Sequence, residues 1–535
     1  MKVILSPNTK IFDRIISKPK EDRVVSKMYK THKYWARKPW YVVSEYINFF
    51  TEPGDKILDV FAGSGVTGIE AIANDREAFL VDLNPMAGFI SETAATNIDL
   101  DLLKNAFEEI RNNFEKKVDS LYQTKKKCPH CESTLVARHF LRGPAFDVVK
   151  VKEDCRSCGY TSRESRPLTK SEMNEIKKIE SKKINHWYPK DKFPDKFDKD
   201  RVTYKGIKHI YQLFTKRNLL ALSWLFNEVN KISDPNIKKM MRLVFSNTLL
   251  HASKLKAENV RPMAVNNYWV PNDWMEENVW FRFAERFGKV LEAKRISNER
   301  ISPEQCNKLN VYTQSSTKLK FLKNNSIDYC FNDPPYGDSI QYSELSMVWN
   351  AWMKKDYKNK EEVIVNRFQN KKVDDYQALL TKIYKETFRV LKPSSYMTVC
   401  FHNKNLDTWS AILQACKDAG FLYINVVPQN PISKSFNQAW SEKSPKTDML
   451  MNFVKPNGEK LKVPKEYTYL DEFGQLIKQI IQNLKNQERS PSLGNVYDGV
   501  LTRVVGYSFY TNDVLNPADY SLSKIKNVLQ SYATK

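Results

Sequence analysis

KILDVFAGSGVTGIEAIA, residues 56–73, passes from an apolar run through a glycine turn into a second apolar run at helical spacing. It reads as a buried strand, a tight turn and a helix. Gly63 and Gly65 let the backbone approach a ligand closely, and the helix start offers free N–H groups to an anion. A strand-to-helix turn that binds nothing has the same pattern, so the next segment matters. REAFLVDLNP, 76–85, reads as a second strand ending in Asp82, 17 residues after Gly65. An acid there can hydrogen-bond ribose hydroxyls, as in nucleoside-binding α/β folds.

The turn lacks GxxxxGK[ST] and the third glycine of a dinucleotide motif, so pyrophosphate fits poorly. A smaller anion, such as an amino-acid carboxylate, fits better. A nucleoside joined to an amino acid describes S-adenosylmethionine.

Strand character returns at 310–316, 327–336, 395–403, 422–428 and 447–455, with helical stretches between. The middle, 121–305, does not alternate. Alternation on both sides of a non-alternating middle predicts one α/β domain interrupted by a large insertion that protrudes from its sheet. The expected parts are 1–120 (cofactor half), 121–166 (a cysteine-bearing ribbon), 167–305 (mainly helical, the candidate target-recognition region), 306–455 (catalytic half) and 456–535 (an extension with no readable role).

FNDPPYGDSIQY, 331–342, runs an apolar strand into an acid, two prolines and an aromatic. Two prolines end a strand, because neither donates to a ladder and both fix φ. They leave a stiff turn that holds Asp333 and Tyr336 at the strand's carboxyl end, where ligands bind in open α/β sheets. An exocyclic amine is a poor nucleophile because its lone pair is delocalised into the base. Hydrogen bonds from its N–H groups to Asp333 and the Pro334 carbonyl would localise that pair, and Tyr336 could stack on a base held out of its duplex. A plain Pro-Pro turn with a surface acid is the alternative for this tetrapeptide alone.

DVFAGSG followed by NDPPY resembles the amino-group DNA methyltransferases, which modify adenine N6 or cytosine N4. HKYWARKPW (32–40) and LFTKRNLLALSWL (213–225) resemble segments of the zinc-ribbon-containing adenine-specific DNA methylases. The resemblance implies a Rossmann-like S-adenosylmethionine-dependent methyltransferase sheet with a zinc-ribbon and helical insertion. It implies a cofactor set of Asp59, Phe61, Gly63, Gly65 and Asp82, with His32, Lys33, Arg37 or Lys38 meeting the methionine carboxylate. Asp333, Pro334, Pro335 and Tyr336 become the catalytic turn. An Asp at the head of the tetrapeptide favours adenine over cytosine. One departure stands out: the acid that such enzymes often carry after the third strand is replaced by Ser315 and Ser316.

CPHC (128–131) and CRSC (155–158) are two CxxC knuckles 23 residues apart. Cys128, Cys131, Cys155 and Cys158 match a tetrahedral, structural zinc site, and His130 and His139 are not expected to be ligands. Cys306, Cys330, Cys400 and Cys416 are dispersed and read as core or incidental residues. The ribbon is basic, which suits either an arm on DNA or a plain stability module.

Lys and Arg outnumber Asp and Glu by 85 to 62, a net charge of +23 that biases the search toward a polyanionic partner. With 41% apolar residues the chain is globular rather than disordered. Neither a signal peptide nor a membrane span is read, and a cytoplasmic location in a prokaryotic cell or its virus is expected. Double-stranded DNA is the expected partner. No nuclease motif is legible, so restriction or defence would need a separate nuclease or partner chain. The rivals are a cytosine N4 enzyme, an RNA guanine N2 methyltransferase, a non-catalytic DNA-binding protein on the same fold and, least favoured, a protein amide methyltransferase.

Overall fold

Seven strands form one sheet: β1 (Lys56–Asp59), β2 (Glu77–Asp82), β3 (Leu309–Thr313), β4 (Ile327–Asn332), β5 (Leu391–Phe401), β6 (Leu422–Gln429) and β7 (Asp448–Val454). In the computed structural model their spatial order is β3-β2-β1-β4-β5-β7-β6. The first five run parallel, and β7 is antiparallel to both β5 and β6. The described residues are 10–14, 16–144, 147–357, 359–403, 405–429, 448–458, 467, 470–486, 491, 493–511, 513, 515, 524–526 and 528. Part of the expected extension 456–535 therefore lies outside them.

The strand order explains where a site must form. From β1 the chain works outward to β2 and β3, then returns to β4 on the other side of β1. β1 and β4 are thus direct neighbours, with Leu58 opposite Cys330. Connections leave their carboxyl ends in opposite directions and open a crevice between them. Apolar clusters cover both faces of the sheet, as a mainly parallel sheet requires. The helices Trp40–Phe50 and Val66–Ala73 pack on one face, and Val373–Val390 and Leu406–Asp418 on the other.

Between β2 and β3 lies the insertion. The strands Gln123–Lys127, Thr134–Arg142, Val148–Asp154 and Arg166–Pro167 form a smaller sheet that carries the two cysteine knuckles. A further strand, Trp274–Glu277, joins that sheet with Trp274 opposite Arg142. It comes from the stretch expected to be helical. Its register depends on Glu276, a buried acid held by Arg142 and Arg217, which hydropathy does not reveal.

The helical part of the insertion does not protrude. Its helices Lys216–Lys231, Pro235–Leu249 and Val279–Arg300 share one apolar cluster with Pro85–Ala95 and Tyr342–Trp352 of the sheet domain. Trp274 and Trp280 lie in this core, as expected, whereas Trp269 is exposed. Among the described residues no helix is long and apolar enough to cross a membrane.

Candidate active site

A cavity opens in the crevice between β1 and β4. Its floor is the glycine turn. Gly63 has φ +52° and Gly65 φ +80°, in the left-handed region that favours glycine. A Cβ on Gly65 would lie 2.6 Å from Ser91 Oγ, and one on Gly63 would lie 3.0 Å from the Tyr34 ring. Asp82 braces the turn, accepting from Gly63 N at 2.7 Å and Asn84 N at 2.8 Å. Asp59, at the end of β1, accepts from Phe61 N at 2.9 Å. Ser315 and Ser316 also line the cavity, and Ser316 donates to the Val60 carbonyl at 2.7 Å. Hydroxyls therefore stand on the cavity wall just after β3.

Asp333 and Pro335 of the DPPY turn line the opposite wall, whereas Pro334 is buried and Tyr336 packs edge-on against Phe401. Asn332, fully buried, accepts from Val60 N at 3.3 Å and ties the end of β4 to the glycine turn. The Pro335 carbonyl accepts from Tyr376 Oη at 2.7 Å, and the Tyr336 carbonyl accepts from Asn403 at 3.1 Å. Gly337 turns the chain away at φ +60°, and its carbonyl accepts from Val365 N. Among the described residues nothing donates to the Pro334 carbonyl. Asp333 accepts from the Tyr336 hydroxyl at 2.8 Å, and the Lys38 ammonium stands 3.4 Å away.

The segment 32–38 divides. Ala36, at φ +53°, bends it. His32 is buried edge-on against Trp349, and burial lowers its pKa to about 4. Lys33 donates to the Met263 carbonyl at 2.7 Å. Neither lines the cavity, whereas Arg37 and Lys38 do. Lys38 is not a lone cation at one end of the cavity: it donates to Tyr336 Oη at 2.5 Å and Asp448 Oδ2 at 2.9 Å. Burial works against its charge, but Asp333 and Asp448 outweigh it and hold its pKa well above the usual lysine value. Arg37 donates to the His32 carbonyl at 3.2 Å, while its buried Nε has no partner among the described residues.

Four carboxyl groups lie on the cavity wall, Asp333 with Lys38 beside it. Burial raises Asp59 and Glu362 to about 7 and Asp82 and Asp333 to about 6. Bonds from Thr67, Ser343 and Asn84, and Lys38 beside Asp333, pull in the opposite direction without cancelling the effect. Such a wall suits a ligand that brings positive charge and hydroxyl donors, and the unpartnered Arg37 Nε suits a carboxylate. S-adenosylmethionine carries a sulfonium, an ammonium, ribose hydroxyls and a carboxylate, so the donor set fits it. Sequence reasoning missed Glu362, Asp448, Tyr34 and Tyr342 at this site. Tyr34 sits inside HKYWARKPW and Tyr342 ends FNDPPYGDSIQY without having been singled out there, and Glu362 and Asp448 belong to no such segment.

The knuckle cysteines converge outside this cavity. Their four sulfurs all lie within 4.8 Å of one another, with Cys128–Cys158 at 3.5 Å and Cys131–Cys155 at 3.4 Å. Four thiolates at zinc-bond length stand roughly 3.8 Å apart. The two knuckles are built alike. The Cys128 and Cys155 carbonyls accept from Glu132 N and Gly159 N, and both donor residues have positive φ. His130 and His139 are outside the cluster.

Known proteins share parts of this chain. A family model for DNA methylase matches residues 5–90. The type II methyltransferase M.MvaI of Kocuria varians is 21% identical over 59% of this chain and 54% of its own length. The type II methyltransferase M.MjaII of Methanocaldococcus jannaschii is 24% identical over 36% of this chain and 34% of its own. The chain thus spans about half the length of the first and a third of the second. Among solved structures, a SAM-dependent methyltransferase from Methanosarcina mazei aligns at 9% identity and a TM-score of 0.25, covering 77% of this chain and 97% of that one. At that score the likeness adds nothing to the strand order. In its N-terminal segment and in both partial alignments the chain is similar to the amino-group DNA methyltransferases, the resemblance that its glycine turn and DPPY tetrapeptide carry.

Proposed function

We propose that this chain is an S-adenosylmethionine-dependent DNA methyltransferase acting on the exocyclic amine of a base held out of its duplex, adenine N6 in preference to cytosine N4. The observation that carries this reading is that Asp333 and Pro335 of the DPPY turn and Gly63 and Ser64 of the glycine turn line one cavity. When bound, S-adenosylmethionine supplies a methyl group already activated on its sulfonium. Arg37 would hold the carboxylate and Asp82 the ribose hydroxyls, with Gly63 lining the cavity beside them.

The chain's own residues position the amine. Asp333 is ionised above pH of about 6, so at neutral pH it accepts one amine N–H while the Pro334 carbonyl accepts the other. The nitrogen becomes more tetrahedral and its lone pair localises. Once the nitrogen is methylated it holds one proton too many, and the Asp333 carboxylate is the adjacent base to receive it. Positioning and electrostatics do the work, with no covalent enzyme intermediate. For adenine over cytosine, the support is the Asp at the head of the tetrapeptide.

The same proposal gives Cys128, Cys131, Cys155 and Cys158 one structural zinc. Four sulfur ligands leave no open position for water. The test is methyl transfer from labelled S-adenosylmethionine to unmethylated duplex DNA, with tRNA in parallel and mass spectrometry of the nucleosides. N6-methyladenine in the DNA is expected, and Asp333→Ala should remove it while S-adenosylmethionine still binds. N4-methylcytosine would correct the base. Label in tRNA alone would overturn DNA as the substrate.

A further inference from the structure

Three of the four exposed aromatic side chains among the described residues are Tyr204, Trp269 and Phe368, at 69%, 42% and 38% exposure. They come from separate parts of the chain, yet one buried acid ties their segments together. Glu344 lies on the helix Tyr342–Trp352, just after the DPPY turn. Its Oε2 accepts from Lys199 N at 2.9 Å, and its Oε1 accepts from Asn366 Nδ2 at 2.8 Å. Lys199 leads into the two-residue strand Asp200–Arg201, which pairs with Tyr268–Trp269. Tyr268 donates back to the Glu344 carbonyl at 2.9 Å. Asn366 caps the short turn Arg367–Gln369, and Val365 beside it donates to Gly337 of the catalytic turn. The ridge is therefore mounted on the same frame as Asp333.

From this placement we infer that Tyr204, Trp269 and Phe368, with Arg201, Arg261 and Arg367, form the surface that holds duplex DNA beside the target base. The inference rests on the DNA methyltransferase reading. Aromatic faces stack on bases of any sequence or wedge into a step whose base has left, and arginines bind phosphates.

Charge on the ridge favours a polyanion. Arg201, Arg261 and Arg367 are all exposed. Of the acids nearby, Asp200 is turned onto Val202 N and Thr203 N, and Asp198 is paired with Lys199 at 2.6 Å. Glu344 is buried and Glu258 is exposed. The ridge is also held in shape before any partner arrives. Lys256 donates to the Ala257, Glu258 and Val260 carbonyls, Lys33 to Met263, and Lys205 to Val270. Met263 and Asn266 are kept at φ +55° and +51°, conformations that persist only where the surroundings over-determine them. A loop fixed in advance gives up little freedom on binding.

The test is photocross-linking of the full chain to a duplex carrying 5-iodouracil at successive thymine positions, with the linked peptides mapped by mass spectrometry. Binding is measured in parallel for Tyr204→Ala/Trp269→Ala/Phe368→Ala. The expected result is cross-links within 199–206, 260–270 or 366–370 and at least a tenfold loss of duplex affinity in the triple variant. S-adenosylmethionine binding should be unchanged, which reports an intact fold. Cross-links confined to 121–166 with full affinity in the triple variant would overturn the ridge and leave the methyltransferase reading standing. A triple variant that lost only self-association would make the ridge a contact between copies and overturn the proposal. Methyl transfer to RNA without duplex binding would overturn the ridge and the DNA reading together.

Discussion

Lys38 Nζ stands 3.4 Å from Asp333 Oδ1 and is held there by Asp448 at 2.9 Å. The lysine belongs to the ARKPW segment, the first acid to the catalytic turn and the second to the start of β7. Burial pushes the Asp333 carboxyl up to about 6, and Lys38 is the largest opposing influence. Removing the ammonium should raise that pKa further. Lys38→Met is therefore expected to move the acid limb of methyl transfer from near pH 6 toward higher pH by about one unit. The variant should be more impaired at pH 7 than at pH 8.5. Single-turnover rates across pH 5.5–9 check this. An acid limb that stays in place would leave Lys38 a purely structural residue.

Tyr336 raises a different expectation. Its hydroxyl donates to Asp333 Oδ1, so it competes with an amine for that oxygen. Tyr336→Phe removes that competitor and keeps the ring. It should retain transfer to within a few-fold and bind the base no more weakly. Tyr336→Ala loses the stacking face, worth about 1–3 kcal/mol per base, or roughly ten- to a hundredfold. Steady-state kinetics on one duplex separate the two. Equal loss in both variants would assign the hydroxyl a direct part in the chemistry.

The motif residues that bracket this site were legible because they are local. Gly63, Gly65, Asp82 and the DPPY turn each follow a strand, and strand ends can be read from apolar runs broken by Gly or Pro. The two cysteine pairs were legible from spacing alone. Lys38, Asp448, Glu362 and Arg37 could not be resolved in the same way, since they come from segments far apart in sequence that meet only when the sheet domain has folded. The bend at Ala36 decides that His32 and Lys33 face the insertion while Arg37 and Lys38 face the cavity. A left-handed alanine leaves no trace in residue type. The strand Trp274–Glu277 was hidden for a related reason: its two glutamates are buried against arginines.

Stability should carry a pH signature of the cavity. Asp59 titrates at about 7 in the folded chain and near 3.8 when unfolded. The folded state holds the proton more tightly, so its contribution is greatest below the lower value and falls as pH rises from about 4 to 7. Asp59→Asn keeps an oxygen for Phe61 N and removes the charge. Its gain over wild type should be small at pH 4.5 and reach about 1–3 kcal/mol at pH 8. Denaturant melts at the two pH values check the sign. S-adenosylmethionine binding should weaken in the same variant, and a loss of stability at pH 8 would mean that Asp59 is paired after all.

The knuckle cysteines carry an expectation about metal and docking together. Arg156, inside the second knuckle, binds Asp119 at 2.8 Å and lies 3.9 Å over the Phe281 ring. The small sheet is thus docked on the helices Leu100–Asp119 and Val279–Arg300 through the residue that a metal would fix. The wild-type chain is expected to contain one zinc, and Cys128→Ser/Cys131→Ser none, by elemental analysis of purified protein. Because bound metal contributes folding free energy, a chelator should lower the melting temperature of the wild type and leave the double variant unaffected. Arg156→Ala should keep the zinc yet loosen the docking, raising hydrogen exchange in 121–166 without releasing metal. Zinc content that survives the double variant would remove the four-sulfur site. Loss of zinc with no change in melting temperature would make the metal an occupant that the fold does not need.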